Sequence, residues 1–178
     1  MRTGFPRILL TGAPRSGKTT LVCRLAEELT ARGVAVGGFL TSEIREDGKR
    51  VGFNVDEFGG LSSTLLAHVA LSNGPQVGRY RVDVAAFEGL AVPAVERAIQ
   101  RADVAIIDQL GRMELLSPAF VDSFEQLLDH AIPLVATIHS RPDPITDAIK
   151  RRPDIELHEV HPGEVDKLCT HLVSRLTT

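Results

Sequence analysis

Apolar residues fall along this chain in two rhythms. Arg7 to Thr11 (RILLT) is a short apolar run stopped by Gly12, the pattern of a parallel strand buried on both faces. From Lys18 to Arg32 the apolar positions Leu21, Val22, Leu25, Ala26 and Leu29 recur at helical spacing, and Gly33 ends the helix. Val34 to Ile44 and Arg50 to Asp56 are β-rich and separated by Glu46-Asp47-Gly48-Lys49. Asp-Gly supplies the positive φ angles of a tight turn, so these two runs predict a hairpin. Gly59-Gly60 predicts another turn. Gly78 to Val84 predicts a further strand that leads into a helix from about Ala85 to Arg101, kinked or restarted at Pro93.

The second half alternates more plainly. Asp103 to Asp108 (DVAIID) is a strand, and Ser117-Pro118 caps and opens a helix to about His130. Ile132 to Ile138 is a strand, Asp143-Pro144 starts a short helix ending near Arg151, Ile155 to Val160 is a last strand, and Gly163 to Leu176 a terminal helix. Repeated strand-helix units predict an α/β fold: a mostly parallel sheet flanked by helices, with an added antiparallel hairpin edge. A length of 178 residues suits one core and is short for two. With no repeat, low-complexity tract or linker, residues 1–178 are expected to form a single domain.

Composition changes this picture mainly by exclusion. Apolar residues make up 43% and charged residues 24%, which is ordinary globular usage. A net charge of −3 exerts no long-range pull on nucleic acid or anionic membrane, although it allows a local basic patch. Cys23 and Cys169 lack metal-ligand spacing and are expected to be reduced, buried thiols. No apolar run approaches the ~20 residues needed to span a bilayer. Met1-Arg2-Thr3-Gly4 leads almost at once into a strand, which predicts no signal peptide and a cytoplasmic protein.

The chemistry begins where the first strand meets the first helix. Gly12-Ala13-Pro14-Arg15-Ser16-Gly17-Lys18-Thr19 fits the phosphate-binding pattern G-x-x-x-x-G-K-[ST], in the strand-to-helix setting that gives the pattern meaning. Successive backbone N–H groups of such a loop curl around phosphate oxygens, and the helix that follows points its positive dipole end at them. Gly12 and Gly17 allow a close approach that a Cβ would block. Lys18 supplies an ammonium to the β- and γ-phosphates, and the Thr19 hydroxyl suits Mg²⁺. Two placements fit Arg15: over the γ-phosphate, or out into solvent.

A second half of the site is expected at the end of a neighbouring strand. Asp108 ends the run Val104-Ala105-Ile106-Ile107, where a Walker B aspartate holds hydrated magnesium; otherwise it caps a loop. Gln109 follows. A glutamine cannot take a proton from water at neutral pH, and losing a general base costs on the order of 10²–10⁴ in rate. It can still orient water by hydrogen bonding. Gln109 therefore reads as a water-positioning residue, as a substitution that traps nucleotide, or as a bystander. Glu114 is the nearest acid able to take over, unless it forms a surface ion pair with Arg112.

These segments resemble the small thermophile-type nucleoside-triphosphatase family, which includes an animal cancer-related NTPase and belongs to the P-loop NTPase superfamily with its RecA-like sheet. The likeness covers nearly the whole chain: Thr11 through Thr20, Gly38 through Glu43, Gly52 through Val55, Val77 through Asp83, Phe87 through Pro93, Ile107 through Leu115 and Val135 through Ile138. The stretch I-D-x-x-G-[KR]-M-E-L, which contains Asp108, Gly111 and Glu114, is far more specific than the phosphate loop alone. The resemblance implies Mg²⁺-dependent hydrolysis of ATP, GTP and other nucleoside triphosphates to diphosphates, with little discrimination among bases. It implies nucleotide contacts at residues 12–20, Asp108, Gln109 and Gly111, and metal contacts at Thr19 and Asp108. The chain departs from the family pattern twice, with Gln109 at a glutamate position and Arg15 at an apolar or glycine position. Thr137 fits a sensor of the γ-phosphate or a loop cap.

Three activities share this machinery. One is hydrolysis, with Lys18, Gln109 and Glu114 as catalytic candidates and Arg141, Arg151 or Arg152 as an arginine finger. Another is transfer of the γ-phosphate to a nucleotide or a polynucleotide 5′-hydroxyl, with the Glu43–Glu57 hairpin beside the acceptor. The third is a nucleotide-dependent switch without turnover. No membrane and no obligate protein partner are expected. Aromatic residues form only 4% of the chain, so base recognition is not legible in it.

Overall fold

A computed structural model of the chain describes residues 4–60 and 62–177. The first apolar run forms β1 (Arg7–Thr11), and α1 (Lys18–Ala31) follows the phosphate-binding pattern. The predicted hairpin is β2 (Val36–Glu46) and β3 (Lys49–Glu57). Next come β4 (Ser63–His68), β5 (Gln76–Val77), β6 (Tyr80–Val82) and α2 (Val84–Arg101). The second half supplies β7 (Val104–Leu110), α3 (Pro118–Asp129), β8 (Leu134–Ile138), α4 (Pro144–Lys150), β9 (Glu156–Glu159) and α5 (Val165–Leu176).

These strands form one nine-stranded sheet in the order β5-β6-β4-β3-β2-β7-β8-β1-β9. β2, β7, β8, β1 and β9 run parallel, and β3, β4, β6 and β5 extend the sheet antiparallel beyond β2. The antiparallel edge is thus larger than the expected hairpin. It gains β4, which the sequence reading left unassigned, paired with β3 through an irregularity at Phe53/Asn54.

Alternation along the strands feeds two cores. Ile8, Leu10, Val104, Ile106 and Val135 meet Leu21, Leu25, Leu29 and Leu172 beneath α1 and α5. Leu9, Phe39, Ala105, Ile107 and Ala136 point the other way, toward Phe87, Phe120, Phe124 and Leu127. On that face the Phe87 and Phe120 rings meet edge-on with centroids 5.1 Å apart, and Phe39 lies 5.8 Å from Phe87. No helix among the described residues is long and apolar enough to cross a membrane.

Local rules yield to packing in two places. α2 continues through Pro93 as one helix, because Leu90, Ala91, Ala94 and Val95 are all buried around it. Its Arg97 also grips Glu57 of β3 with two hydrogen bonds of 2.7 and 2.9 Å. Of the two cysteines, Cys169 is buried as expected, whereas Cys23 is only half-buried; both thiols are free.

β2 lies so close to β7 that one position accepts only glycine. Gly38 has φ +101°, and a Cβ built there would sit 2.1 Å from the carbonyl oxygen of Ile106. Gly38→Ala is expected to destabilise the protein by about 2–4 kcal/mol, because strain and a backbone clash add. The urea midpoint measures this, and an unchanged midpoint would show that β2 and β7 can part without cost.

Candidate functional site

The loop between β1 and α1 is shaped by two glycines pressed against the C-terminal part of the chain. A Cβ at Gly12 (φ +144°) would lie 2.7 Å from the Val160 carbonyl oxygen, and one at Gly17 (φ +100°) would lie 2.7 Å from Val165 Cγ2. The segment from β9 into α5 therefore braces the loop. Within it, Ser16 N–H donates to the Ala13 carbonyl at 3.1 Å. Ala13 and Pro14 are exposed, as is Arg15, whose backbone takes the left-handed conformation at φ +64°.

Lys18 opens α1 and folds back across the loop. Its Nζ donates to the carbonyls of Gly12 at 2.8 Å and Ala13 at 2.9 Å, and to Ser16 Oγ at 3.4 Å. Partial burial holds its pKa below the usual lysine value, against the opposing pull of the Asp108 charge. Thr19 and Thr20 follow in the first turn of α1, both exposed.

Asp108 faces this turn from β7. Only 2% of it is exposed. Thr19 Oγ1 donates to its Oδ2 at 2.9 Å, and the buried Thr137 hydroxyl of β8 donates to Oδ1. Burial pushes the Asp108 carboxyl above its ordinary range, while Thr137, Thr19 and Lys18 oppose the shift. The strand does not end at Asp108 as the sequence suggested. It continues to Leu110, which pairs with Ile138 of β8 after a register shift. Thr137 likewise lies inside its strand, with its hydroxyl turned to Asp108.

Gln109 is half-buried, and the Asp108–Gln109 peptide is cis. Beyond it the chain enters a short 3₁₀ turn (Glu114–Leu116) that swings Glu114 inward. Glu114 is 2% exposed while Arg112 is exposed, so the surface ion pair considered for them does not form. Instead Glu114 Oε2 accepts the Gly111 N–H at 3.1 Å. Burial, reinforced by the Asp108 charge, pushes the Glu114 carboxyl up to about 7 against the pull of hydrogen bonds from Gly111 and Thr41.

Sequence reasoning assigned no role to Thr41, which lies near Asp108 on β2. Its Oγ1 donates to the main-chain carbonyl of Asp108 at 2.7 Å. A polar, β-branched residue just past the last buried apolar position of β2 was the available signal. Among the arginine-finger candidates, Arg141 and Arg151 are exposed, whereas Arg152 is tied to Asp129 at 2.9 Å and Asp154 at 3.0 Å.

Comparison with known proteins follows the same outline. A family model described as NTPase matches residues 7–173. The nucleoside-triphosphatase THEP1 of Thermofilum pendens is 44% identical over 172 residues, which cover 96% of this chain and 94% of that protein. The crystal structure of THEP1 from the hyperthermophile Aquifex aeolicus superposes with a TM-score of 0.86 at 35% identity, covering 97% of this chain and 99% of that one. The solution structure of a human cancer-related nucleoside triphosphatase superposes with a TM-score of 0.79 at 33% identity, covering 95% and 96%.

The environment of Glu114 makes stability depend on pH. A carboxyl raised from 4.5 to about 7 binds its proton more tightly in the folded state than in the unfolded one. Its contribution is intact below about 4.5 and is lost as pH climbs from there through 7. Glu114→Gln keeps an oxygen for the Gly111 N–H but cannot ionise. It is expected to gain on the order of 3 kcal/mol over the wild type between about pH 5 and pH 8, as read by urea unfolding. Parallel pH profiles for the two proteins would refute this.

Proposed function

This chain belongs to the NTPase family, and from that premise we propose that it hydrolyses nucleoside triphosphates, ATP and GTP among them, to diphosphates with the help of Mg²⁺. The observation that carries the reading is the Thr19–Asp108 hydrogen bond of 2.9 Å, which joins the phosphate loop to β7 across the intervening β8. It brings together the two side chains from which a phosphate-bound metal would take oxygen ligands.

Those donors suit magnesium. A hydroxyl and a carboxylate are hard oxygen ligands, and Mg²⁺ is commonly held by one or two protein groups, with phosphates and water completing the octahedron. Bound there, the ion would neutralise charge on the β- and γ-oxygens. The chain's own residues do the rest. The backbone of residues 12–17 cradles the phosphates with the N-terminus of α1 behind it. The Lys18 ammonium exchanges its contacts to the Gly12 and Ala13 carbonyls for phosphate oxygens. Gln109, next to Asp108, orients the attacking water by hydrogen bonding, and Gly111 leaves room for its side chain. Glu114 supports this arrangement from below.

Incubation with Mg²⁺ and γ-labelled ATP, with and without an oligonucleotide or a nucleoside monophosphate, tests the reading. Free phosphate is expected in every arm. Labelled acceptor would mean transfer instead, and tight binding without product would mean a nucleotide trap. Lys18→Ala is expected to weaken triphosphate binding by at least about tenfold. Restoring an acid next to Asp108, in Gln109→Glu, is expected to accelerate phosphate release by at least about tenfold. If that variant is no faster, this position does not handle the water.

A further inference from the structure

Three threonine hydroxyls converge on Asp108, and they do different things. Thr19 and Thr137 take its two carboxylate oxygens, whereas Thr41 takes its main-chain carbonyl at 2.7 Å. That carbonyl belongs to the peptide leading into Gln109. Thr41 therefore grips the backbone immediately before Gln109.

Thr41 also interacts with the Glu114 carboxyl. Glu114 in turn fixes the Gly111 N–H at 3.1 Å. A Cβ at Gly111 would lie 2.8 Å from Gln109 Nε2 and 2.9 Å from Glu114 Oε2. The Gln109 amide and the Glu114 carboxyl thus both pack against the same glycine, in the space a Cβ would need.

We propose that Thr41 and Glu114 are positioning residues that together aim Gln109, Thr41 by holding the Asp108 carbonyl and Glu114 by fixing the Gly111 backbone on which the Gln109 side chain rests. The proposal rests on the reading of Gln109 as the residue that orients water. Neither residue lies in the phosphate loop. Each acts on the geometry of Gln109, where a small displacement costs rate rather than affinity.

Phosphate release, its kcat and KM, and the melting temperature of each variant test this together. Thr41→Val keeps shape and loses the hydroxyl; it is expected to lower kcat about tenfold with KM within about twofold, and Thr41→Ser to restore the rate. Glu114→Ala is expected to lose about tenfold in kcat, and Glu114→Gln, which keeps an acceptor and a donor, to stay within about twofold. In a Gln109→Ala background these losses should disappear. If Thr41→Val does not fold, the two Glu114 variants decide the matter by the same cycle. Losses that persist undiminished in Gln109→Ala, or that fall on KM, overturn the proposal and leave the role of Gln109 standing. An unchanged kcat in Gln109→Ala alone removes the water-orienting role, and this proposal with it.

Discussion

A carboxylate with almost no access to water is the constraint around which this molecule is arranged. An ionised acid in such a place is costly unless hydrogen bonds replace its lost hydration. Asp108 receives them from Thr19 on α1 and Thr137 on β8, while Thr41 on β2 holds its carbonyl. The sheet order makes this possible. With β7 seated between β2 and β8, and α1 lying over the adjacent strands, three elements distant in sequence each present a hydroxyl to one residue. Moving α1 or β8 by one strand would remove one of the two hydroxyls that support the acid.

The same burial weighs on both charged groups of the site. Lys18 is held below its usual pKa and Asp108 above its own, so the protein strains against both of its ionised groups. A polyphosphate beside Lys18 and a cation beside Asp108, as proposed above, would each favour the charged form. Ligand binding and ionisation would then reinforce each other. In the proposed exchange the lysine's contacts with the Gly12 and Ala13 carbonyls would give way to phosphate oxygens.

What the sequence disclosed and what it hid divide along the range of the interactions involved. The phosphate loop was legible because a strand, two glycines and a helix start lie within a few consecutive residues. Asp108 was legible as a residue type, but its position within β7 was not, since the strand's extension to Leu110 depends on pairing with Ile138. For Glu114 the sequence left open both a role in the site and a surface ion pair with Arg112. Its burial comes from a 3₁₀ turn folding back on Gly111, which no apolar periodicity announces. β4 lacks clean alternation and becomes a strand only because β3 offers it an edge. Pro93 signals a break locally, yet the packing of α2 on the sheet overrides that signal. Thr41 has meaning only once β2 and β7 are side by side.

The bracing of the phosphate loop by the β9–α5 segment also has a consequence in time. A ribosome makes Gly12 and Gly17 long before Val160 and Val165, and proteins generally begin to fold from the N-terminal side as they emerge. Until β9 and α5 are made, the nascent chain would carry the glycine loop without the walls that shape it. The final shape of the loop therefore depends on residues synthesised after all the other strands of the sheet.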